Sequence, residues 1–163
     1  MLGSMRTALG AKYRAPATSG PISARYWRFV MPVGVVCFNG AINWQMRRFS
    51  LYASTDATGT DAALNQPVDA DDSQTGYPPT NANDGTNAFW VRPTGLALPG
   101  WWSVDLGAAV EVKSLYSASR NNTVAYLPTE MWLQASDDNV NWSTVMVINP
   151  PGTSGSGIEE DIQ

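Results

Sequence analysis

Histidine is absent from this chain of 163 residues, and cysteine occurs once. The first absence removes His-based catalytic triads and His-rich metal sites, and the second removes a disulfide scaffold. Charge is sparse as well, at 15% of residues against 44% hydrophobic and 10% aromatic. Those proportions belong to one globular domain, long enough to bury a real core, rather than to a disordered chain. Long apolar runs are missing: residues 29–38 form the longest and are broken by Pro32 and Gly34, well short of the ~18 residues a membrane-spanning helix needs. No membrane insertion is expected. Arg6 near the start is followed by no apolar block, so a secretory signal peptide is not expected either. The lone Cys37, between Val36 and Phe38, reads as a small buried hydrophobe.

What is present is unevenly distributed. Residues 1–55 hold Arg6, Lys12, Arg14, Arg25, Arg28, Arg47 and Arg48 and no acid, whereas the remainder carries three basic residues against fourteen acidic ones. The front third is therefore +7 and the rest −11, summing to the net charge of −4. Head-to-tail packing of copies, docking of the front on an acidic neighbour, and neutralisation within one domain are all open to such a chain.

Residues 1–23 are rich in Ala, Gly, Ser, Thr and Pro, with too few apolar residues for an amphipathic face, and read as an extended arm. Ordering each residue of an arm costs roughly 1 to 2 kcal/mol of backbone entropy, so a partner is expected to hold it. From residue 24 the chain turns to short segments of aromatic and β-branched residues separated by Gly, Pro, Asn and Asp, the pattern of an all-β antiparallel sandwich. Strands are expected at 24–31, 48–53, 101–106, 110–117, 129–136 and 141–148. A hairpin of 33–38 with 41–46 is expected about Asn39-Gly40. Residues 54–83 form a long polar connection, of the length that is usually functional or braced. The domain is expected over 24–149, followed by a flexible acidic tail at 150–163.

Three motifs then occur in order: Ala82-Asn83-Asp84-Gly85 leading to Phe89-Trp90, then Trp101-Trp102-Ser103-Val104-Asp105-Leu106-Gly107, then Leu133-Gln134-Ala135-Ser136-Asp137-Asp138-Asn139-Val140-Asn141-Trp142. Together they resemble the discoidin, or coagulation-factor type C, domain family, which implies a galactose-binding-like jelly roll over about residues 24–148. Gly85 and Gly107 suit turns with positive φ. Asn139 stands where the family has Gly, and Asn is the next residue able to take that conformation. Residues 24–29 (Ala-Arg-Tyr-Trp-Arg-Phe) resemble the Arg-Tyr strand that usually ends such a domain, yet here they come first. That permuted order resembles the version found in bacteriophage virion proteins, and it implies a decorating or adhesive module located on the virion.

The family often holds a structural Ca²⁺ through the Asp-Gly loop, a following hydroxyl and a Glu after the first hairpin. Here Asp84 is the candidate metal residue. The loop is one residue short, Ala88 falls near the expected hydroxyl and Arg48 near the expected Glu. A cation site with Arg for a carboxylate is poorly compensated, so calcium is disfavoured and Asp84 is expected to cap its own turn.

Seven Trp and six Tyr invite a sugar-stacking reading. Trp27, Trp90, Trp101 and Trp142 are assigned to core or strand faces. Trp102 and Trp132, in the outward phase of their strands, and Tyr77, in the long connection, are the candidates for glycan or protein contact. The acid pairs Asp71-Asp72 and Asp137-Asp138 do not make a glycosidase, because adjacent carboxylates point apart. With no phosphate loop, metal cluster or nucleophile with a base, enzyme activity is not expected, nor is any cofactor. Arg6, Lys12 and Arg14 are the candidate docking residues of the arm. The expected function is a non-enzymatic structural or decorating protein of a phage particle, whether head, neck or tail, anchored by that arm to other virion proteins and to copies of itself. The alternative is a carbohydrate-binding module for cell-surface glycans. A nucleic-acid partner is not expected.

Overall fold

The computed structural model describes residues 22–152 and 157–162. The arm residues Arg6, Lys12 and Arg14 lie outside them. Among the described residues there is no α-helix, and two antiparallel sheets face each other. The first sheet has the order β3 (Val68–Ala70), β5 (Gly100–Glu111), β1 (Ser23–Met31), β7 (Met131–Ser136), β8 (Ser143–Ile148). The second has the order β4 (Trp90–Val91), β2 (Gln45–Tyr52), β6 (Ser114–Ser119), β9 (Ile158–Asp161). The expected all-β sandwich is what the chain forms.

The two-residue period of a strand explains the layers. In β1, Trp27, Phe29 and Met31 are fully buried; in β7, Met131 and Leu133 are; in β2, Met46, Phe49 and Leu51 are. These sets meet between the sheets: Phe29 touches Phe49 edge-on with centroids 4.7 Å apart, and Phe49 touches Trp102 of β5 at 4.8 Å. Burying one such side chain contributes about 1.5 to 3 kcal/mol. The core thus joins β1, β2, β5 and β7 directly, and β1, the first strand of the described residues, lies in the middle of its sheet.

Several expected features change. No hairpin forms at residues 33–46. Asn39-Gly40 does turn, with φ of +81° at Gly40 and its N–H donated to the Cys37 carbonyl, but Cys37 pairs with Pro128 in a lone bridge. Pro32 follows the end of β1, the Cys37 N–H still reaches the Ala41 carbonyl, and the strand partners of residues 36–38 are the distant residues 127–129. Residues 101–111 form one strand that runs through Gly107, so β6 begins only at Ser114. The expected flexible tail is in part a strand: β9 pairs with β6, Ile158 is buried and the Asp56 N–H donates to Asp161. An open edge of β6 and one apolar side chain outweigh an acidic, Gly-rich composition there. The left-handed positions fall where expected, with φ of +72° at Gly85, +76° at Gly107 and +60° at Asn139.

Candidate functional site

The long connection is braced from within. Asp61 accepts from the N–H groups of Leu51 and Ala63, and the buried Asn83 amide donates to the carbonyls of Ala63 and Gln66. A 3₁₀ turn at Pro79–Ala82 then sets the outer rim. There Tyr77 stacks on Phe89, with centroids 4.9 Å apart and planes at 28°. The Arg120 guanidinium sits 4.6 Å from the Phe89 centroid, and Asn81 donates to the Phe89 carbonyl. Tyr77, expected from the sequence, is thus half of a ring pair. Phe89 and Arg120 were not foreseen as its partners. Phe89 lies one residue before the motif Trp90 and had a local signal, whereas Arg120 is far away in the chain and had none.

Beside this cluster, Asp84 turns on itself: its Oδ1 accepts the Thr86 N–H at 2.8 Å, and Thr86 Oγ1 accepts the Ala88 N–H at 3.0 Å. Between Met46 and Arg48 the register of β2 against β6 shifts, a bulge that re-aims Arg47. Its guanidinium donates to Asn87 Oδ1 at 3.2 Å. Arg48 points elsewhere, to Ser50, Tyr52 and the Tyr116 ring. The loop oxygens that a hard cation would need therefore serve backbone N–H groups and a guanidinium. A positive side chain beside them opposes a second cation. Among the described residues no three or more acidic, Cys or His groups converge, and these residues do not fit a calcium site.

The outward aromatics differ from expectation in one respect. Trp102 is fully buried, donating its indole N–H to the Pro79 carbonyl at 3.0 Å, and its neighbour Trp101 is the one that faces out, half-buried. Ser103 and Asp105 share the phase of Trp101, while Val104 and Leu106 share that of Trp102. That polar alternation was the available signal. Trp132 is half-buried on the outer face as expected, its indole N–H fixed at 2.8 Å by Glu130. Trp142, assigned to a core position or a strand face, is half-buried as well, with the Arg28 guanidinium 4.1 Å from its ring centroid.

Three of the four acids in adjacent pairs maintain structure. Asp71 holds the fully buried Arg92 at 2.7 Å and also accepts the Trp101 N–H. Asp72 accepts from Ser73. Asp138 accepts the N–H and side-chain amide of Asn141, the N–H of Val140 and the hydroxyl of Ser136, and these hold its carboxyl well below the usual carboxylate range. Burial pushes the Cys37 thiol up to about 11, far from a reactive thiolate. No helix of the described residues is long and apolar enough to cross a membrane.

Compared with known proteins, residues 67–161 match the family model of the F5/8 type C domain, more than half of the chain. No curated protein and no solved structure matches it. The matched segment contains all three motifs and the strands β3 to β9, and β1 and β2 precede it. Domains of this family are in general non-catalytic ligand-binding modules, carbohydrates among their ligands.

Proposed function

Because this chain belongs to the F5/8 type C domain family, we propose that it is a non-catalytic binding module that holds a cell-surface glycan at its loop end. The observation that carries this reading is the meeting of Tyr77 and Phe89, from the β3–β4 connection, with Arg120, from the β6–β7 connection. An apolar plane next to fixed hydrogen-bond donors is what a pyranose ring requires of a surface. Its test is a glycan array with the intact chain. Saturable binding to a defined saccharide class, weakened about tenfold by Tyr77→Ala or Phe89→Ala, is the expected result. Silence across the array refutes it.

A second reading concerns where the module works: as a head, neck or tail accessory of a phage particle, attached to other virion proteins and to its own copies through the N-terminal arm, residues 1–23. It is favoured by the position of β1. Among the described residues that strand comes first, ahead of the family match, and it lies between β5 and β7, a placement compatible with the permuted order proposed from the resemblance to virion modules. Arg6, Lys12 and Arg14 supply the docking cations, in a stretch without an acid. Deleting residues 1–21 should abolish incorporation into particles, and high salt should loosen it. Unchanged incorporation rules the anchor out.

A further inference from the structure

The outer face of the five-stranded sheet carries two parallel rows set by register. Trp101 of β5, Val30 of β1, Trp132 of β7 and Val147 of β8 are successive cross-strand partners. One step along, Asp69, Ser103, Arg28, Gln134 and Thr144 are partners across all five strands. From these rows we propose a second binding site, for an extended, uncharged, β-linked pyranose polymer lying across the strands.

The spacing selects that occupant. Trp101 and Trp132 are two strands apart, about 10 Å, and a β-linked chain of pyranoses presents the same face of every second ring at a comparable interval. Val30 between them is only 5% exposed, so the strip is a filled floor rather than a slot. The polar row lies about 7 Å to one side; Ser103 and Gln134 are buried in it, so the exposed Asp69 and Thr144 and the half-buried Arg28 are the groups that ring hydroxyls meet.

That polar row is already ordered. Arg28 Nε donates to Gln134 Oε1 at 2.7 Å, Gln134 Nε2 donates to Thr144 Oγ1 at 3.0 Å, and Arg28 is stacked on Trp142. Glu130 fixes the Trp132 indole. Little side-chain entropy remains to be lost on binding. The charge pattern points the same way. Arg25 and Asp105 form a two-bond pair at 2.7 and 2.8 Å, and the Arg28 guanidinium is turned onto Gln134 and the Trp142 ring. A neutral polymer suits this face better than an ionic one.

The experiment follows tryptophan fluorescence of the intact chain during titration with β-1,4-linked hexasaccharides of glucose and of N-acetylglucosamine, each against its disaccharide. At least one hexasaccharide should bind, about tenfold tighter than its disaccharide, because only the longer chain covers both rings. Trp132→Ala and Trp101→Ala should each weaken it about tenfold, Trp132→Phe should restore most of it, and Val33→Ala, at an exposed position outside both sites, should leave it unchanged. Near-UV circular dichroism establishes that each variant is folded. Four results overturn the proposal. One is no hexasaccharide response, and another is equal affinity for both lengths. The third is binding lost through Tyr77→Ala alone, which places the ligand at the loop end and leaves the glycan reading above intact. Light scattering that shows a dimer dissolved by Trp132→Ala, without sugar binding, also overturns it by giving the face to a second copy.

Discussion

Trp101 and Trp102 are adjacent in the chain and belong to different regions of the molecule. Trp102 joins Trp27, Trp44 and Trp90 in the interior, each fully buried, while Trp101 joins Trp132 and Trp142 on the outer sheet face, each half-buried. The interior group is settled by packing: Trp102 meets Phe49 of the other sheet, and Trp44 meets Trp90. In the outer group Trp101 and Trp132 lie in one register row and Trp142 stands in the β7–β8 turn against Arg28. The same residue type thus serves cohesion in one region and contact in the other, and a one-residue change of phase exchanges the roles.

The largest effect should come from breaking that division from the inside. Trp102→Ala removes the partner of Phe49 and the indole bond to Pro79, and should cost about 3 to 5 kcal/mol in a denaturant titration. Trp101→Ala should cost less than half as much and act on ligand contact instead. Equal losses would mean that the outer face is structural throughout.

Ion pairs repeat the contrast at a second scale. Arg92 is fully buried against Asp71, whereas Arg25 and Asp105 are both partly open to water. Asp71→Ala strands a buried guanidinium and should destabilise by about 3 kcal/mol. Asp105→Ala should move the melting curve very little, because solvent screens exposed pairs.

Legibility divides along similar lines. The three motif strands, the turns at Gly85, Gly107 and Asn139 and the sandwich itself were readable, because each rests on local periodicity or on a residue suited to positive φ. The phase at residues 101–102 was misread because two Trp in succession offer either face an aromatic. Only Ser103 and Asp105 broke the tie. Ile158 was hidden in a tail whose composition resembles a linker, since a single buried side chain has no period. Arg120 over Phe89 is a meeting of distant loops, and no local pattern encodes it. In residues 33–46 the turn was legible and its strands were not, because the pairing of Cys37 with Pro128 is decided elsewhere in the chain.

A smaller effect sharpens the comparison at the β7–β8 turn. Asn139 has φ of +60°, where a residue with an ordinary side chain is strained by roughly 1 to 2 kcal/mol. Asn139→Ala should therefore destabilise by about 1 kcal/mol, and Asn139→Gly should be close to neutral. Thermal melts of the three proteins decide it, and an Ala variant as stable as Gly would remove the backbone argument.

The smallest effect is a pH dependence in the same turn. Asp138 accepts from the backbone of Val140 and Asn141, from the Asn141 amide and from Ser136, so its ionised form is favoured in the folded chain and its pKa is lowered. A lowered folded pKa means that the stabilisation is fully present above the unfolded value, about 3.9, and is lost as pH falls below it toward the folded one. The carboxylate is exposed, so the slope should be shallow and should flatten with salt to the extent that it is electrostatic rather than hydrogen-bonded. Urea midpoints measured between pH 5 and pH 2 should fall less steeply for Asp138→Asn than for the parent, while Asp137→Asn, at the neighbouring exposed position, should follow the parent. If both variants track it alike, the turn is held by the backbone conformation of Asn139 and not by the carboxylate beside it.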